Sequence, residues 1–104
     1  MELKIGNKTY STVRLTGDFP IKFYKETGFD VFKLEKGFEE DLIQGYEMVL
    51  NLAYHLTGKQ EETLEDFAKG FTPYDLMAVY GDILTCYVEV TRSDVESKVE
   101  KKSV

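Results

Sequence analysis

Phe38-Glu39-Glu40-Asp41-Leu42-Ile43-Gln44-Gly45-Tyr46-Glu47-Met48-Val49-Leu50-Asn51-Leu52-Ala53-Tyr54-His55-Leu56 is the stretch on which the reading of the fold turns. Phe38, Leu42, Tyr46, Val49, Ala53 and Leu56 recur at spacings of three and four, and Ile43, Leu50 and Tyr54 widen the stripe. That period places them on one side of an α-helix. Glu39, Glu40 and Asp41 fall where the positive end of the helix dipole favours negative charge, and Gly58 follows as a stop signal. One long central helix is expected from about Phe38. So broad an apolar face has to be covered, and the flanking sequence must supply the cover.

Downstream, Thr72-Pro73-Tyr74-Asp75 offers an N-cap threonine and a proline at the first helical position, where its missing N–H costs nothing. The stripe Leu76, Tyr80, Ile83, Tyr87 and Val90, with Val79, Leu84 and Val88 beside it, predicts a second long helix. Between the two, Thr63-Leu64-Glu65-Asp66 has the form of a capping box opening a short helix that Gly70 ends. Gly45 and Gly81 interrupt the two long helices at a cost of about 1 kcal/mol each relative to alanine. Each is therefore expected at a helix contact, where the absence of a side chain is useful.

Upstream, Leu3 and Ile5 alternate with polar neighbours, Gly6-Asn7 offers the positive φ of a tight turn, and Tyr10, Val13 and Leu15 follow in a threonine-rich stretch. This predicts an N-terminal β-hairpin over residues 1–16. A lone hairpin is marginal in water, so its apolar face must lie on the helices or pair with a neighbouring chain. Asp18 is the expected N-cap of a short helix carrying Phe19, Pro20, Phe23 and Tyr24 and ended by Gly28. Phe29, Val31, Phe32 and Leu34 form a further apolar patch, a helical turn or a packed loop, closed by Gly37. The expectation is a mainly α fold: a small helical domain with two long amphipathic helices, shorter helices and an N-terminal β-hairpin. It occupies residues 1–92 as one domain, and 93–104 are expected to be a charged, frayed tail.

Composition narrows the function. With 104 residues, 42% of them hydrophobic, seven Phe and seven Tyr, the chain can bury a core and is not a disordered polymer. No apolar run approaches the roughly 18–20 residues of a membrane helix, and Met1-Glu2-Leu3-Lys4 opens no secretory segment. The single cysteine, Cys86, excludes an internal disulfide and fits a reducing compartment, so a cytoplasmic location is expected. Residues 37–97 carry 13 acidic and 3 basic side chains, whereas 1–36 carry 7 basic and 5 acidic. The acidic middle would repel a phosphate backbone, so nucleic acid is not an expected partner. It reads as a solvated face, with a docking surface for a basic partner as the alternative.

Catalysis needs a base, a nucleophile or a metal, and the chain has one histidine, one cysteine and four serines. His55, near the end of the central helix, is expected to be partly exposed and to interact with the helix dipole. Cys86 has no basic neighbour in sequence and reads as a small buried apolar residue. No Cys/His spacing matches zinc, no glycine loop cradles phosphate, and Glu39-Glu40-Asp41 lacks the alternation of a calcium loop. Glu61, Glu62, Glu65 and Asp66 read as solvated surface. The chain is expected to bind rather than catalyse, with no catalytic residue, cofactor or metal. Its rings exceed what a core of this size hides, and exposed rings mark contact surfaces.

Leu3-Lys4-Ile5-Gly6-Asn7-Lys8-Thr9-Tyr10, then Phe23-Tyr24-Lys25-Glu26-Thr27-Gly28-Phe29-Asp30-Val31-Phe32-Lys33-Leu34, then Leu52-Ala53-Tyr54, then Thr63-Leu64-Glu65-Asp66-Phe67, stand in an order that resembles the tail assembly chaperones of long-tailed phages of Gram-positive bacteria. The resemblance runs from residue 1 to about 92. It implies a protein of the host cytoplasm, absent from the finished virion, that binds the tape measure protein, keeps it soluble and assists tail tube assembly. It further implies a frameshifted, extended form recruiting the tail tube protein, and Lys101-Lys102 marks where an A-rich slippery run would lie; a plain solubilising tail is the alternative. Relatives act in many copies, so a homo-oligomer is expected, with the hairpin edge as one route. Phe23, Phe29, Phe32 and Tyr74, all placed on short elements, are the residues expected on a client or self-association surface. The other reading is a small acidic protein-binding adaptor or anti-repressor of a mobile element, which would share size, acidity and helices.

Overall fold

Asp41 cuts the first long stripe in two. In the computed structural model, which describes residues 2–59 and 61–91, Asp41 is extended (φ -159°, ψ 117°) and its carboxylate accepts the N–H groups of Ile43 at 2.9 Å and Gln44 at 3.2 Å. The central helix α3 therefore runs over Leu42–Leu56, and Phe38 belongs to a separate helix α2, Leu34–Glu40. The break has a packing cause. A Cβ at Gly45 would stand 2.6 Å from the Phe38 ring, and one at Gly37 would stand 3.5 Å from the Gly45 Cα. Gly37 thus sits within α2 and lets α2 fold back on α3, instead of closing the patch before it.

The remaining elements are the strands β1 (Glu2–Ile5) and β2 (Lys8–Ser11), and the helices α1 (Phe19–Thr27), α4 (Leu64–Ala68), α5 (Pro73–Ala78) and α6 (Tyr80–Thr91). A short 3-10 turn, Val31–Lys33, leads into α2. The molecule is mainly helical with an N-terminal antiparallel hairpin, as the patterning predicts. The expected tail at 93–104, with Lys101-Lys102, lies outside the described residues.

In the hairpin, Leu3 pairs with Tyr10 and Ile5 with Lys8, and Leu3, Ile5 and Tyr10 face the core. Gly6 takes a positive φ of 61°; Asn7 does not, so the turn needs only one left-handed residue. The strand stops at Ser11 because the next backbone groups are used elsewhere. The N–H of Val13 donates to the Leu56 carbonyl at 2.9 Å and that of Leu15 to the Val90 carbonyl at 3.1 Å. An extended segment thereby satisfies orphan carbonyls at the C-terminal ends of α3 and α6.

Helix α1 ends as expected at Gly28 (φ 80°), whose N–H meets the Tyr24 carbonyl at 2.7 Å. Asp18 precedes it without capping: its carboxylate takes the Thr16 hydroxyl and, at 2.9 Å, the Lys22 ammonium. Thr63 accepts the Asp66 N–H at 3.1 Å, while Thr72 and Asp75 form the full reciprocal box. The second long helix is bent at Val79 (φ -108°, ψ 17°), although the Ile83 N–H still reaches the Val79 carbonyl at 2.9 Å. Leu76, Ile83, Cys86 and Val90 face inward, whereas Val88 is exposed. Gly81 meets nothing within 4 Å and is exposed, so the helix contact expected there is absent. It lies in the first turn of α6, directly after the bend.

Candidate functional site

The 14 phenol and phenyl rings divide unevenly. Tyr10, Phe19, Phe23 and Phe67 are buried, and Phe29, Phe38, Tyr46, Tyr54, Phe71, Tyr80 and Tyr87 are half-buried against them. Tyr24, Phe32 and Tyr74 are left in solvent, Phe32 at 80% exposure and Tyr74 at 81%. A tyrosine has a hydroxyl to solvate. Phe32 has none, and its exposure calls for a local cause.

That cause is the 3-10 turn. The Asp30 carboxylate accepts the Phe32 N–H at 3.0 Å and starts the turn, and residues three apart then lie on the same side. Val31 and Leu34 take the inner side and are buried, which drives Phe32 and Lys33 outward.

Phe32 stands between two grooves along α6. One, of about 440 Å³, is lined by Val31, Phe32, Lys33, Leu34, Lys36, Leu84 and Tyr87. The other, of about 350 Å³, is lined by Leu15, Thr16, Gly17, Phe19, Pro20, Phe32, Tyr87 and Thr91. Phe32 and Tyr87 belong to both, so the grooves meet at this pair of rings. Burial pushes the Tyr87 phenol above its ordinary range. Lys33 and Lys36 edge the first groove, and among the described residues neither is paired with a carboxylate. In a chain of net charge -6 this is a basic rim on an acidic molecule.

Of the four residues expected at a contact surface, the structure leaves two exposed. Phe23 is fully buried, its ring 5.3 Å from that of Phe19 and edge-on to His55 at 5.2 Å, so it is core and offers no surface. Phe29 is half-buried and lines a smaller groove with Tyr24, Lys33, Lys36 and Met48, next to that of Phe32. Tyr74 is exposed on α5 and lines none of these three grooves. Leu84 and Tyr87 were not among the four. Their spacing of three on α6 puts them within the core stripe, yet both are only partly buried and line the groove.

The groups with chemical potential have structural partners. His55 Nδ1 faces the Asn51 carbonyl at 2.8 Å and Nε2 faces a Glu26 carboxylate oxygen at 2.7 Å, with Lys59 Nζ 3.0 Å from the same carboxylate. Hydrogen bonds from His55 and then Lys59 hold the Glu26 carboxyl below the usual range. Cys86 is buried, and burial pushes its thiol up, against an opposing hydrogen bond with Thr12. A reactive thiol requires the opposite shift. Among the described residues no three His, Cys, Asp or Glu side chains gather as metal ligands, and no helix is long and apolar enough to cross a membrane. Comparison with protein-family models, with curated proteins and with solved structures found no match.

Proposed function

We propose that this chain is a phage tail assembly chaperone: it binds apolar helical stretches of the tape measure protein, keeps that protein soluble in the host cytoplasm and assists tube assembly around it. The observation that carries the reading is the exposed Phe32 ring at the junction of two apolar-lined grooves along α6. A groove of this kind receives the apolar face of an amphipathic helix, with a ring as anchor. The sequence resemblance supplies the identity of the client. The engagement of His55 with Asn51 and Glu26 and the burial of Cys86 support a binding role.

The test is co-expression of the chain with a phage tape measure protein. Tape measure protein should move into the soluble fraction and co-purify with the chain, and Phe32→Ser should abolish both. Tape measure protein that stays insoluble beside the folded wild-type chain, or that co-purifies equally with Phe32→Ser, would overturn the proposal.

A further inference from the structure

Leu42 and Ile43, 73% and 69% exposed, are the one pair of sequence neighbours among the exposed large apolar side chains of the described residues. The Asp41 cap puts them there. It starts α3, the buried face begins only at Gly45, and the first turn is left pointing away from the core. Carboxylates surround the pair: Glu39, Glu40 and Asp41 precede it and Glu47 stands one turn beyond Ile43, all of them exposed. No Lys or Arg occurs between Lys36 and Lys59, and among the described residues Glu39, Glu40 and Glu47 form no ion pair. Asp41 accepts the N–H groups of Ile43 and Gln44 and so offsets the positive end of the α3 dipole, which leaves the field over the corner negative.

We propose that this corner is the docking site of a second protein that presents a basic amphipathic helix, its aliphatic side chains flanked by Lys or Arg. The aliphatic side chains cover Leu42 and Ile43, and the flanking cations meet Glu39, Glu40 and Glu47. Neither half suffices alone: an isolated aliphatic pair selects no partner, and exposed ion pairs contribute little without apolar contact. The same field repels a phosphate backbone or an anionic lipid surface, and a second copy of this chain, with its own net charge of -6, matches it poorly. The grooves beside Phe32 have the opposite preference, because Lys33 and Lys36 edge them, and neither is lined by Leu42 or Ile43. Corner and grooves therefore take partners of different charge, and occupancy of one leaves the other's lining uncovered. Docking at the corner weakens as salt rises.

This site stands without the chaperone reading, and its test needs no client. The probe is a labelled helical peptide of leucine and lysine with one apolar face, titrated with the full chain. Binding should be saturable and should fall about tenfold or more for a scrambled peptide of the same composition, for Leu42→Ser/Ile43→Ser and for Glu39→Lys/Glu47→Lys, with the circular dichroism spectrum unchanged. Phe32→Ser should bind the peptide like the parent, which separates this site from that of the proposed client. No binding, equal binding of the scrambled peptide, corner variants that bind like the parent, or a loss with Phe32→Ser would each overturn the proposal. So would sedimentation showing that the parent self-associates and that Leu42→Ser/Ile43→Ser abolishes it, which would give the corner to a second copy. If a variant does not fold, a photo-crosslinking form of the peptide decides on the parent: crosslinks should map to residues 39–47, and crosslinks confined to other elements reject the site.

Discussion

His55 Nε2 stands 2.7 Å from Glu26 Oε2, and this contact joins α1 to the C-terminal end of α3 across 29 residues of sequence. The histidine ring is edge-on to Phe23 at 5.2 Å, so a polar clasp at the surface orients a ring of the core.

The clasp predicts an acid-sensitive contribution to stability. The folded state lowers the Glu26 carboxyl, through His55 first and Lys59 second. Its contribution is therefore complete above the ordinary glutamate range and is lost as pH falls through the lowered folded value. The Glu26 side chain is 51% exposed, so solvent screening holds the effect to about 1 kcal/mol or less. Urea unfolding of Glu26→Gln should show that deficit at neutral pH and a closing gap in acid. A gap independent of pH would mean that the carboxylate charge contributes nothing.

Two glycines that look alike in sequence should respond oppositely to alanine. At Gly45 the new methyl would stand 2.6 Å from the Phe38 ring and 2.9 Å from the Phe38 backbone, so α2 would have to move. Gly45→Ala should destabilise by about 1–3 kcal/mol. At Gly81 nothing lies within 4 Å and the backbone is helical, so Gly81→Ala should stabilise by up to about 1 kcal/mol. Urea midpoints of the two variants decide both.

The same pair of glycines shows what the sequence carries and what it withholds. Period and caps are local, so the hairpin, α1, the capped starts at Thr63 and Thr72 and the inward face of α6 could be read directly. The breaks at Asp41 and Val79 could not. Phe38 continues the 3.6-residue stripe in register, and only its seat over Gly45 shows that it belongs to a helix folded back. For the same reason Leu42 and Ile43 read as core, although once Asp41 is the cap they precede the buried face. At the candidate site Phe32 was legible as a surplus ring, but the groove depends on where α2 lies against α6, which no local pattern encodes.

Tyr10 has a buried hydroxyl with no hydrogen-bond partner among the described residues, and burial raises its phenol. An unsatisfied buried hydroxyl costs on the order of 1 kcal/mol, so Tyr10→Phe should stabilise by about that amount and keep the ring's contact with Phe67. A loss of stability in thermal or urea unfolding would show that the hydroxyl is satisfied in solution.

Phe23 and Phe32 are the sharpest pair. Sequence places both on short elements among charged neighbours, and nothing local tells them apart. Phe23 is fully buried between Phe19 and His55, so Phe23→Ala should cost about 3–5 kcal/mol through a cavity that those rings only partly fill. Phe32 is 80% exposed, so Phe32→Ser should change stability by no more than about 0.5 kcal/mol. Binding should separate them the other way: Phe32→Ser removes an anchor from an intact fold, whereas Phe23→Ala weakens binding only as far as it unfolds the chain. Unfolding curves measured beside client co-purification give both axes. A Phe32 variant that loses stability as severely as the Phe23 variant would make that ring part of the core and remove the site.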